Sequence, residues 1–122
     1  SARDVQTAHK QWYFGKSLDG FTPIGPCIVT ADAFADYPPR LGIRSFVNGE
    51  KRQDSNTALQ IFDIDHVIAE LSQGMTLKAG TIIATGTPAG VGMGMAPPQF
   101  LKPGDVVRCE IDGIGTLTNP VK

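Results

Sequence analysis

Charge of one sign is what this chain lacks first: 11 Lys and Arg stand against 12 Asp and Glu, a net charge of −1. With no basic excess, nucleic acid and anionic membrane surfaces are excluded as expected partners. Long hydrophobic runs are also missing. No apolar stretch approaches the roughly 20 residues that a membrane-spanning helix needs. Cysteine is scarce, with Cys27 and Cys109 far apart and no Cys-x-x-Cys spacing. They read as two reduced core thiols in a reducing compartment, the cytoplasm or the mitochondrial matrix. His9 and His66 are the only histidines, and they form no convincing Ser–His–Asp order.

Turn formers are plentiful instead, with Gly 14 and Pro 9 in 122 residues. This favours short strands and tight turns over a helical bundle. The strands are not spaced as regular βαβ units, which argues against a doubly wound sheet. The expected fold class is α+β, mostly β. The length is that of one domain, residues 1–122, and a domain of this size buries roughly two thirds of its unfolded surface.

Several elements can be placed. Ile43–Val47 alternates at period two and runs into Asn48-Gly49, the preferred pair for a type I′ hairpin turn. The returning segment from Glu50 is polar and should be exposed or at a sheet edge. Val106–Ile111 and Ile114–Val121 flank Asp112-Gly113 as a second hairpin. Ile24–Thr30 ends in a plausible strand, and Thr81–Ala84 reads as a buried one. Ile64, Val67, Ile68 and Leu71 form one apolar stripe, so 63–75 is the main helix. Asp63 or Asp65 can cap its start and Gly74 close its end. Capping explains Asp63-Ile64-Asp65-His66 better than a metal site does.

The stretch with most chemical content is Thr85-Gly86-Thr87-Pro88-Ala89-Gly90-Val91-Gly92. Glycine admits close backbone approach and positive φ. Pro88 fixes its own φ and pushes Thr87 toward an extended conformation. Two hydroxyls and exposed N–H groups on a stiff turn suit a small carboxylate or an enol oxygen. The plain alternative is a tight loop without a ligand. Phosphate-loop and dinucleotide fingerprints both fail on spacing. Lys16, behind the aromatic cluster Trp12-Tyr13-Phe14, could balance an anion or stand as an ordinary exposed lysine.

Three segments together resemble the fumarylacetoacetate hydrolase superfamily: Ser1-Ala2-Arg3-Asp4-Val5-Gln6, Gln11-Trp12 with Gly15–Pro26, and Thr76–Gly92. Val47–Glu50, Phe100–Asp105 and Gly115–Val121 add to the likeness. It covers essentially the whole chain and is most similar to the domain-containing-protein-2 branch, associated with oxaloacetate keto–enol tautomerisation. Acylpyruvate or fumarylacetoacetate-type C–C hydrolases, oxaloacetate decarboxylases and hydroxyheptadienedioate isomerases are the alternatives within it. A non-catalytic remnant serving dimerisation is the alternative of another class.

The resemblance implies a mixed, rolled β-sheet, a homodimer, and a Mg²⁺ (or Mn²⁺) ion holding a 2-oxo acid as its enolate. It implies that Lys16 lies beside metal and substrate. Gln6 and Thr87 would contact substrate, with Thr85 and Gly86 adjacent. Arg3 and Asp4 would be a structural ion pair near the site. The family's metal carboxylates, a Glu-x-Glu pair and an aspartate, would all precede Ser1, and no Glu-x-Glu occurs in this chain. The expectation is a catalytic domain truncated on its N-terminal side. Alone, such a chain should bind Mg²⁺ weakly and turn over little substrate.

Overall fold

The structure, a computed structural model, describes residues 2–10 and 12–122. Its helices are α1 (Arg3–His9), α2 (Trp12–Lys16) and α3 (Ile64–Ser72). Its strands are β1 (Gly42–Val47), β2 (Glu50–Asn56), β3 (Val106–Ile111) and β4 (Gly115–Pro120). Ser1 and Gln11, which open two of the motifs above, lie outside the described residues.

The four strands make one sheet in the order β2-β1-β3-β4. All of its pairings are antiparallel. The α+β class therefore stands, and no parallel pairing occurs among the described residues.

Both hairpins form where local chemistry asks for them. Asn48 and Gly49 have φ of 51° and 84°, the positive values a type I′ turn needs. Asn48 also ties the turn to β3. Its Oδ1 accepts from Val106 N–H at 2.9 Å, and its Nδ2 donates to Asp105 at 2.9 Å. The polar β2 is an edge strand. Between β3 and β4 the loop runs Asp112–Ile114, with Ile114 N–H donating to Ile111 O at 3.1 Å.

The β1–β2 ladder is irregular at one place. Ser45 pairs with Gln53, but the next pair is Phe46 with Lys51. Arg52 is thus the extra residue of a β-bulge, a device that bends a strand and re-aims its groups. Side-chain pairing braces the sheet elsewhere. The Arg108 guanidinium lies 4.1 Å from the centre of the Phe46 ring, its cross-strand neighbour. Arg44 bridges Asp112 at 2.7 Å and Asp54 at 3.5 Å.

Helix α3 begins as expected, with Asp63 accepting from His66 N–H at 2.7 Å. It ends at Ser72, and Gly74 is not in the left-handed region. Closure by a glycine cap is therefore not what stops it.

Four further expectations are corrected. Thr81–Ala84 and Ile24–Thr30 are not strands. A strand exists only through a ladder partner, and neither run has one among the described residues. Cys27 and Cys109 are free, but both are exposed rather than core thiols. Arg3 and Asp4 form no ion pair among the described residues. Adjacent residues on a helix do not face each other.

The largest departure concerns the core. Among the described residues no hydrophobic side chain is buried, and large ones stand open, such as Ile28 at 81%, Ile61 at 92% and Ile82 at 67% exposure. The chain's length suffices for a core, yet its apolar faces do not close on one another. Among the described residues the fully buried side chain is Gln6, at 2% exposure.

Candidate active site

The candidate residues fall on two supports. The first is the helix pair. Ala2 N–H donates to Gly15 O at 2.8 Å, which docks α1 on α2. Gly15 permits the approach: a Cβ there would lie 2.6 Å from Gln6 Cγ and 2.9 Å from Ala2 O. This close packing buries Gln6 beside the helix that carries Lys16. Both polar atoms of the Gln6 amide lack a hydrogen-bond partner among the described residues. A buried amide left so costs about 1–3 kcal/mol. Its position therefore calls for polar groups from outside these residues.

Lys16 ends α2 and is exposed, and its carbonyl accepts from Thr22 Oγ1 at 3.2 Å. Ser17 Oγ donates back to Tyr13 O at 2.7 Å and tightens the same turn. Arg3 lies in the same helix pair, where its carbonyl accepts from Thr7 Oγ1 at 2.9 Å. Asp4 stands in the first turn of α1, where a carboxylate complements the helix dipole.

The second support is β2. The Thr85–Gly92 loop is pinned against its bulge. Gln53 Nε2 donates to Thr87 Oγ1 at 2.8 Å and to Pro88 O at 2.9 Å. Gly90 has φ of 101°, and a Cβ there would run into the Arg52 carbonyl. Only glycine satisfies both the conformation and the approach. Arg52 itself reaches on to Met95 Sδ at 3.0 Å and to Gln99 Oε1, and so fixes the segment that follows. Thr85, Gly86 and Thr87 remain exposed on this anchored loop.

Sequence reasoning singled out Thr87 and Lys16 as candidates and did not single out Gln53, Ser45 or the Arg52 bulge, which the structure places behind Thr87. Gln53 is 34 residues from Thr87, and no local pattern marks that contact. The one available hint was a glutamine between charged residues, Arg52 and Asp54, on an edge strand.

Among the described residues no group of three or more His, Cys, Asp or Glu could hold a metal ion. The residues on these two supports thus do not by themselves fit a Mg²⁺ or Mn²⁺ site. No helix among them is long and apolar enough to cross a membrane.

The chain thus joins an antiparallel sheet, a glycine–threonine loop seated on its bulged edge, and a helix pair opened by an Arg-Asp-x-Gln motif. The chain matches the family described as fumarylacetoacetate (FAA) hydrolase C-terminal over residues 1–122, and it belongs to that family. Among its relatives, oxaloacetate tautomerase YisK of Bacillus subtilis is 50% identical over 121 residues. That alignment takes in 99% of this chain and 40% of the relative. The solved fumarylacetoacetate hydrolase from Exiguobacterium antarcticum superposes with a TM-score of 0.92 at 54% identity, covering 100% of this chain and 43% of that one. Maleylpyruvate hydrolase from Sphingobium sp. SYK-6, solved with manganese(II) and pyruvate, gives a TM-score of 0.76 at 44% identity over 88% of this chain and 38% of that one. The chain thus spans about 40% of the length of the curated relative it matches.

Proposed function

We propose that the complete protein is an enzyme acting on a 2-oxo acid through its enol form, with oxaloacetate keto–enol tautomerisation as its reaction. This chain would supply the wall that grips the substrate. The observation that carries the reading is the exposed Thr87 hydroxyl, held from behind by β2, in a family whose relatives include an oxaloacetate tautomerase. Thr87, with Thr85 and the Gly86 backbone, would hold the substrate carboxylate. The Lys16 ammonium would balance charge on the enolate oxygen as a C3 proton leaves and returns. Gln6 would complete the polar lining, consistent with its unpartnered buried amide.

The divalent cation, Mg²⁺ or Mn²⁺, would be held by residues outside this chain. The manganese and pyruvate in the maleylpyruvate hydrolase support that general chemistry. A homodimer in a reducing compartment, cytoplasm or mitochondrial matrix, is the proposed setting, the compartment resting on the two free thiols. C–C hydrolysis is the second reading, favoured by the likeness to a fumarylacetoacetate hydrolase.

Two assays separate the readings. The complete protein is given enol oxaloacetate with Mg²⁺, and the enol absorbance is followed beside product analysis. Loss of absorbance with oxaloacetate conserved is the expected result. Hydrolysis requires a different probe: release of pyruvate and a second acid from an acylpyruvate would assign the C–C hydrolase instead.

A further inference from the structure

The Thr87 hydroxyl touches a side chain that no motif pointed to, and the protons of that contact can be assigned. The Pro88 carbonyl carries no proton, so the Gln53 group 2.9 Å from it is the NH₂ end of the amide. The same nitrogen lies 2.8 Å from Thr87 Oγ1 and donates its second proton there. The opposite end of the amide is held as well: Gln53 Oε1 accepts from Ser45 Oγ at 2.8 Å. Ser45 and Gln53 are cross-strand partners immediately before the bulge at Arg52.

A hydroxyl has one proton and two lone pairs. With one lone pair taken by Gln53, Thr87 keeps its own proton for an acceptor on its open side. An anionic oxygen is such an acceptor. We infer that Gln53 is a positioning residue, which turns the Thr87 hydroxyl outward as a donor to the substrate carboxylate. This rests on the reading of Thr87 as the carboxylate grip. Ser45 and the β1–β2 ladder hold Gln53, and the Gln53 bond to the Pro88 carbonyl holds the loop. Both partners of the contact are therefore fixed to the sheet.

The test is a double-mutant cycle in the complete protein, with oxaloacetate and Mg²⁺. Gln53→Met removes the donor at nearly constant size and adds no charge. Gln53→Asn keeps the amide but withdraws it by one methylene. Each should raise KM about tenfold with kcat within about threefold, as expected for a lost contact made equally to ground and transition states. Thr87→Val should do the same, and adding either Gln53 change to it should cost nothing more. In a Thr87→Ser background, which keeps a hydroxyl, the Gln53 effect should return.

Three outcomes overturn the inference. An unchanged KM in both Gln53 variants is one. The second is a Gln53 effect that multiplies with Thr87→Val, which would mark a general structural role. The third is an unchanged KM in Thr87→Val itself. That last result removes the carboxylate-grip reading, and the inference falls with it. The first two remove the inference and leave the grip reading standing.

Discussion

In the proposed reaction, single side chains would divide the work between grip and charge. Lys16 is the cation at the end of α2. A charge-assisted contact to an enolate is worth about 1.5–3 kcal/mol. Lys16→Ala in the complete protein should therefore lower kcat/KM for oxaloacetate about 10- to 100-fold, measured by enol absorbance. Gly15 carries a different kind of demand. A methyl group there would enter the space of Gln6 Cγ and the Ala2 carbonyl. Overpacking of this sort costs about 1–3 kcal/mol. Gly15→Ala should lower the urea midpoint and also raise KM, because the same displacement disturbs Gln6 and Lys16. Both residues were legible in the sequence through a motif. The orphaned amide of Gln6 was not, since burial depends on how α1 and α2 dock.

Elements governed by local rules are where sequence and structure agree best. The Asn48-Gly49 turn, the hairpin at Asp112-Gly113 and the Asp63 cap each follow from a few adjacent residues. Asn48→Ala puts an alanine at φ 51° and removes two side-chain hydrogen bonds to the start of β3. The left-handed conformation alone costs an L-residue about 1–2 kcal/mol. The urea midpoint of the complete protein should fall accordingly.

The same hairpins set the acid response. Asp105 is held below its ordinary pKa of 3.8 by the Asn48 amide and then by the Lys102 N–H. Asp112 is held below the same value by the Arg44 guanidinium first. A carboxylate depressed on folding contributes stability that is present in full above its unfolded pKa. That stability is lost as pH falls through the folded value. Unfolding midpoints should therefore be flat from neutral pH to about 5 and decline through the carboxylate range. Arg44→Met should flatten the part of the decline that Asp112 contributes. Strand expectations at 24–30 and 81–84 failed because a strand needs a partner, and a partner is a property of distant chain. The Arg52 bulge was invisible for the same reason: it is defined only by register against β1.

At the scale of the whole molecule, large apolar side chains stand exposed in the loops, on α2 and at both ends of β3, and nothing in the described residues covers them. Burial stabilises by about 25 cal/mol per Å² of apolar surface. A chain that leaves Ile28, Ile61 and Ile82 open forgoes much of that. Composition gave no warning, because a 41% hydrophobic content looks the same whether or not the apolar faces meet. The family match runs over residues 1–122, about 40% of a relative's length. On the proposed reading, this chain grips the substrate while the cation is held elsewhere. The direct measurement is enol-oxaloacetate turnover with Mg²⁺ by the complete protein and by residues 1–122 alone. Turnover by the complete protein and little or none by the 122-residue chain is the expected result of that arrangement. Full turnover by the short chain would contradict it.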